Sequence, residues 1–139
     1  MDFEAILLEM TKQGFECSQI LMLMALELDG AENPGLVRAM SGLNSGMGRT
    51  GGACGALTGG CCVLGYFTGK GVPEELEHSR AREIVSGYAQ WFTGRFGTES
   101  CRDIINGDYS RCLATCPPMM EECYFKLMEL LEEYDILEG

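Results

Sequence analysis

Eight cysteines are the residues of this sequence best suited to chemistry, and four of them stand where predicted helices begin. Those four are Cys17, Cys54, Cys101 and Cys116. At a helix N-terminus, unpaired backbone N–H groups and the helix dipole favour a thiolate over a thiol. A thiolate is the form of cysteine that attacks, is oxidised or binds a metal. We therefore predict that these four cysteines form one redox site.

Two kinds of chemistry are open to four thiolates in one site. They could ligate a metal centre, either an iron–sulfur cluster that transfers electrons or a structural zinc ion. Alternatively, pairs of them could cycle between thiol and disulfide without a metal, which would make Cys17, Cys54, Cys101 and Cys116 catalytic residues. Of the two, we favour metal or cluster ligation in an electron-transfer protein.

Helical geometry separates the other cysteines from this set. Cys61 follows Cys54, and Cys123 follows Cys116, at a spacing of seven positions, which is roughly 10 Å along a helix axis. Two thiolates on one ion must lie within about 4 Å of each other. The cysteines predicted to be small core residues are therefore Cys61, Cys62 and Cys123. Cys112 is left open, because its short segment could bring it close to Cys116.

Motifs of other cysteine chemistry are missing from the sequence. There is no C-x-x-C pair for thioredoxin-like exchange and no C-x-x-C-H site for haem attachment. The one histidine, His78, lies in the charged stretch ELEHSRAR, which predicts a solvated side chain and disfavours a Cys–His hydrolase. The stretch GGACGALTGG lacks the Gly-Lys-Ser/Thr ending of a phosphate loop.

The composition is typical of an acidic globular domain. The chain has 139 residues and a formal net charge of −11, which favours a single domain over residues 1–139 and disfavours nucleic acid as a partner. The first residues, MDFEAILLEM, lack the basic start of a secretory signal, so we expect a cytoplasmic protein with reduced thiols. The uncharged stretch 50–69 is long enough to span a membrane, but it is rich in glycine, so we expect no stable insertion.

Helical periodicity dominates the chain, and alternating strand patterns are missing. The expected fold is therefore an all-α, single-domain bundle of six or seven helices. The predicted helices cover residues 2–12, 17–28, 34–41, 53–68, 72–96, 100–105 and 116–134. Glycines mark several of the ends, and Pro34, Pro73 and Pro117 mark starts.

Four stretches of the chain resemble the C_GCAxxG_C_C family of redox-active proteins. The Cys-Gly-Ala-x-x-Gly motif of that family is matched by CGALTG, Cys54 to Gly59. GFECSQILML is similar to the family's first cysteine segment, FGTESCRDIING to its third, and TCPPMMEECYFKLMELLEE to its final Cys-Pro and helix. The resemblance implies the same four site cysteines, Cys17, Cys54, Cys101 and Cys116. This chain departs from the family pattern in having four further cysteines, of which Cys112 or Cys123 could replace Cys116.

The resemblance also implies functional properties. Within the motif, Gly55, Ala56 and Gly59 would be the residues that approach a cofactor. A redox partner protein is implied, and an association with a transporter follows from the placement of family members near transporter genes. A related domain occurs in a cytochrome that also carries an iron–sulfur centre, which favours the cluster.

Two further expectations concern association. The small residues Gly51, Gly55 and Gly59 recur every four positions, a spacing that lets helices approach closely and would allow a homodimer. The predicted last helix is rich in glutamate. A non-catalytic module that docks on a transporter through this acidic face is therefore the alternative function from another class.

Overall fold

The computed structural model describes residues 2–137, apart from the side chain of Leu113, and within this range the chain forms seven right-handed α-helices and no β-strand. They are α1 (Phe3–Lys12), α2 (Cys17–Asp29), α3 (Pro34–Met40), α4 (Gly55–Thr68), α5 (Ala81–Phe96), α6 (Cys101–Ile104) and α7 (Cys112–Glu133). The predicted all-α fold is confirmed. None of the helices in the described range has the length and apolar character needed to cross a membrane.

The central helix is α2, and its first residue is one of the predicted site cysteines. Glu16 precedes the helix and forms a capping box with Gln19, so the helix begins at Cys17 as predicted. Gly30, in the left-handed conformation with φ of 65°, ends it. Neighbouring helices cover α2 on several sides, and its buried residues are Ser18, Gln19, Ile20, Leu21, Met22, Met24, Ala25 and Leu26.

Glycines let α4 pack closely against α2 and α5. A Cβ at Gly59 would lie 2.6 Å from the Cα of Ser18 in α2, and a Cβ at Gly60 would lie 2.4 Å from the ring of Tyr88 in α5. Gly59 is therefore used for packing within the chain, and Gly51 lies before the helix begins. The small-residue face on which the homodimer expectation rests is thus not presented to solvent.

The predicted start of the helix after α4 is wrong. Residues 72–80 are not helical, and α5 begins only at Ala81. Leu76 is 93% exposed, so a helical turn there would bury no apolar surface, and most helical stability comes from such burial. The backbone of this segment is instead tied to the end of α4, because the N–H of His78 donates to the carbonyl of Thr68 at 2.8 Å.

The last helix begins four residues earlier than predicted, which changes the place of one site cysteine. Pro117 and Pro118 predict a helix start, because proline suits the first turn, but both lie inside α7. Cys116 is consequently in the second turn, and the prediction that it stands at a helix N-terminus is wrong. Cys112 occupies the first helical position instead, and both cysteines are half-buried there.

The glycine-rich segment before α4 forms a left-handed turn over Asn44–Arg49. Positive φ values occupy five successive residues of this turn, and Ser45, Met47 and Arg49 among them are not glycine. A left-handed backbone costs a non-glycine residue roughly 1–2 kcal/mol. Contacts with the rest of the fold must therefore hold the turn in place.

Candidate functional site

Five cysteine side chains line one cavity of about 130 Å³ beside the first residues of α2, α4 and α6. They are Cys17, Cys54, Cys101, Cys112 and Cys116. The four cysteines singled out from the sequence are thus brought together in space, and a fifth joins them. The rest of the lining within the described chain is chiefly apolar and contains no lysine, arginine or histidine.

Cys17 reaches the cavity because residue 55 is a glycine. A Cβ on Gly55 would lie 2.4 Å from the Cys17 sulfur, which is far inside the distance of ordinary atomic contact. Gly55 has no positive φ, so its backbone conformation does not require glycine. The glycine of the Cys-Gly-Ala motif therefore makes room for a second cysteine.

Backbone hydrogen bonds hold Cys54 and Cys101 on two neighbouring segments of the chain. The N–H of Cys54 donates to the carbonyl of Glu99 at 2.7 Å, and the N–H of Cys101 donates to the carbonyl of Gly52 at 2.8 Å. These bonds flank an isolated antiparallel bridge between Ala53 and Ser100. Each of the two segments leads directly into a helix. Cys54 is the N-cap residue of α4, and Cys101 is the first residue of α6.

The left-handed turn is fastened to α2 and packs on the cavity. Its first residue, Asn44, is buried. The side-chain oxygen of Asn44 accepts a hydrogen bond from the hydroxyl of Ser18 at 2.5 Å, and its amide nitrogen donates one to the side-chain oxygen of Gln19 at 3.0 Å. Further along the turn, a Cβ at Gly46 would lie 2.6 Å from the Cβ of Cys101. The polar contacts on α2 offset the backbone strain and hold the turn against the cysteines.

Cys112 and Cys116 lie one helical turn apart on the same face of α7, and both line the cavity. The structure thus brings Cys112 into the site, a question that the sequence argument left open. The i, i+4 spacing of the two cysteines is the signal that finds it, because residues four apart are neighbours on a helix surface.

Burial opposes the helix-start effect on the pKa of Cys17 and Cys54. Burial raises the pKa of Cys17 to about 12 and the pKa of Cys54 to about 11. Backbone N–H groups do lower both pKa values, from Ser18 and Ser45 at Cys17 and from Ala56 and Leu57 at Cys54, but desolvation outweighs them. At these two cysteines the effect of the helix start is therefore present but smaller than the effect of burial.

The pKa values of the two remaining predicted ligands, Cys101 and Cys116, are also raised. Burial is the largest cause of the rise at both residues. The negative charge of an ionised Cys112 would raise the pKa of each of them further. Several thiols in one apolar cavity cannot all ionise without a positive charge beside them.

The spacing of the sulfurs bears on which metal centre fits. Among residues 2–137, no three Cys, His, Asp or Glu side chains are grouped closely enough to hold one ion. A structural zinc ion needs four ligands at about 2.0–2.3 Å, so the sulfurs would have to move to accept it. Cysteine thiolates are also the ligands of iron–sulfur clusters, so the donors of this cavity match either kind of centre in chemical type.

The motif residues expected to approach a cofactor divide into two groups. Gly55 lines the cavity, whereas Ala56 and Gly59 are not among its lining residues. The carbonyl of Ala56 accepts a hydrogen bond from the hydroxyl of Tyr88 at 2.8 Å, and Gly59 packs against Ser18. The latter two residues therefore serve the packing of α4.

The three cysteines predicted to be core residues lie outside the cavity lining. Cys123 is completely buried in the core. Cys61 and Cys62 are half-buried on α4 and pack against the core. These positions provide matched controls for the cysteines of the cavity.

The chain was compared with known proteins. A family model described as "Putative redox-active protein (C_GCAxxG_C_C)" matches residues 15–130. The matched range contains all five cysteines that line the cavity. Comparison with curated proteins gives no match, and comparison with solved structures gives none either.

Proposed function

Because the chain belongs to the C_GCAxxG_C_C family of redox-active proteins, we propose that it is an electron-transfer protein with an iron–sulfur cluster. Its ligands would be Cys17, Cys54, Cys101 and Cys116. The observation that carries the proposal is the one cavity that all four line, although they come from four separate segments. When bound, the cluster would supply reversible transfer of single electrons. The chain supplies the ligands, the burial and the hydrogen-bond donors.

Backbone N–H groups lower the pKa of two of the proposed ligands. Those of Ser18 and Ser45 act on Cys17, and those of Ala56 and Leu57 act on Cys54. Hydrogen bonds to ligating sulfurs stabilise the more negative, reduced state and help to set the reduction potential. The helix starts therefore tune the proposed site even though they do not ionise its free thiols.

The raised pKa values of the four proposed ligands are consistent with a metal site. The described lining holds no basic side chain, and such a side chain is what usually activates a catalytic cysteine. A bound metal provides the missing positive charge, and cysteines lose their protons when they bind it. Uptake of iron by this cavity should therefore release protons.

The test is anaerobic reconstitution of the reduced, metal-free protein with ferrous iron and sulfide. We expect a brown protein with visible charge-transfer bands, bound iron and sulfide after desalting, and bleaching on one-electron reduction. Cys17→Ser and Cys54→Ser should each lose most of the bound iron. Cys62→Ser, outside the cavity, should load as fully as the wild type.

The outcomes separate the alternatives. A colourless protein that retains one zinc ion would indicate a structural site and overturn electron transfer. A colourless protein without metal, with thiols that titrate as a function of potential, would support a metal-free thiol redox protein. If Cys54→Ser also behaves as the wild type does in every assay, the protein would be better described as a non-catalytic module.

A further inference from the structure

The start of α7 carries a pair of cysteines that the four-ligand site does not fully use. Cys112 is the first residue of the helix, and Cys116 lies one turn later on the same face. Both side chains line the cavity, and both are half-buried, so a small reagent can reach them. A site that needs four cysteines has a fifth beside it.

An intact helical turn keeps the two sulfurs from bonding. Residues four apart on a helix have Cβ atoms about 5–6 Å apart. A disulfide needs Cβ atoms about 3.5–4.5 Å apart. Bond formation between Cys112 and Cys116 therefore requires the first turn of α7 to unwind.

The two prolines after Cys116 weaken that turn. Three helical hydrogen bonds would close it, from the N–H groups of residues 116, 117 and 118 to the carbonyls of residues 112, 113 and 114. Pro117 and Pro118 have no N–H, so two of the three bonds cannot form. A residue before proline also disfavours helical backbone, which applies to Cys116. The turn that separates the cysteines is thus the part of α7 that opens at least cost.

We propose that Cys112 and Cys116 form a reversible disulfide when a low-molecular-weight disulfide such as glutathione disulfide oxidises the metal-free chain. One thiol of the pair, as its thiolate, attacks a sulfur of glutathione disulfide, and the first glutathione leaves. The other thiolate then attacks the mixed disulfide, and the second glutathione leaves. The two protons released by the cysteines end on the two glutathione thiols, so the chain loses two electrons and two protons.

The proposal concerns the metal-free chain and does not depend on whether the cavity takes a cluster. It gives a role to Cys112, which is not one of the four predicted site cysteines. Excess thiol reverses the reaction by the same exchange steps.

The experiment uses the full-length chain, reduced, freed of metal with a chelator, and incubated with glutathione disulfide. Free thiols are then alkylated, and the protein is digested with trypsin, which releases residues 112–126 as one peptide. We expect this peptide to lack two hydrogens, to carry one alkyl group on Cys123, and to hold its disulfide between Cys112 and Cys116. A cross-link from Cys116 to Cys17, Cys54 or Cys101, or glutathione adducts alone, would overturn the proposal.

Variants test the role of the weak turn. Pro117→Ala combined with Pro118→Ala restores two helical hydrogen bonds, and we expect the disulfide to form at least about tenfold more slowly. Pro73→Ala, in the turn before α5, is the matched control and should form it at the wild-type rate. Cys112→Ser should keep one glutathione on Cys116. If the double proline variant forms the disulfide as fast as the wild type, the weak turn is not what permits it.

Discussion

The most direct test of how the site is built is the substitution Gly55→Ala. The added Cβ would lie 2.4 Å from the Cys17 sulfur, whereas ordinary contact between heavy atoms is about 3.5–4.0 Å. The sulfur or the start of α2 must therefore move by more than about 1 Å. Forcing an extra methyl into a well-packed site costs typically 1–3 kcal/mol, and the displaced sulfur would no longer be in place to bind a metal centre.

The same helix offers a matched control. Gly65→Ala also places a methyl group on α4, but nothing lies within 4 Å of that Cβ. Alanine is favoured over glycine inside a helix by roughly 0.5–1 kcal/mol, so this variant should be slightly more stable than the wild type. Neither position has a positive φ, so backbone strain does not distinguish them.

Urea unfolding of the metal-free variants measures the free energy of unfolding, and iron retained after reconstitution measures the site. We expect Gly55→Ala to lose about 1–3 kcal/mol and most of its iron, and Gly65→Ala to lose neither. Wild-type stability and full iron loading in Gly55→Ala would refute the argument that this glycine exists to admit Cys17.

Three further predictions follow from features around the cavity. Met47 has a φ of 60°, so the Met47→Gly variant should be about 1 kcal/mol more stable than the wild type. Gly48 has a φ of 76° and open space where a Cβ would lie, so Gly48→Ala should be less stable by about as much. Thermal unfolding of both variants tests these opposite signs of the stability change. Burial raises the pKa of Cys54 from 9.0 to about 11, so the unfolded chain ionises first as pH rises, and the metal-free protein should lose up to about 1.4 kcal/mol per pH unit from this thiol between pH 9 and 11. Cys54→Ser should flatten that slope in urea unfolding; an unchanged slope would contradict the burial argument. Ser18→Ala leaves the buried Asn44 oxygen without its 2.5 Å partner, which should cost about 1–3 kcal/mol; a loss below about 0.5 kcal/mol would show that this bond does not fasten the turn.

The sequence was informative where local signals and tertiary packing agree. The capping box at Glu16 and the glycine at residue 30 set the bounds of α2, and the motif glycine at residue 55 marked a close approach. Helix starts drew attention to Cys17, Cys54 and Cys101, which the fold places around one cavity. Their roles there are proposals that the reconstitution experiment decides.

The sequence was misleading where tertiary structure overrides a local preference. Two adjacent prolines favour a helix start at Cys116, yet the helix extends back to Cys112 because that turn packs beside the cavity. The local field at a helix start favours a thiolate, yet it says nothing about burial, which decides the pKa of Cys17 and Cys54. No propensity rule would place Met47 in left-handed backbone, because contacts elsewhere compensate for that strain.

The wide spread of the cavity cysteines along the chain has a consequence for biosynthesis. The first of them, Cys17, opens α2, whereas Cys116 lies almost a hundred positions later, on α7. A nascent chain therefore has no complete pocket until α7 has been synthesised, even though folding can begin from its N-terminal part. Cofactor insertion would then have to wait until every segment from α2 to α7 is available to fold.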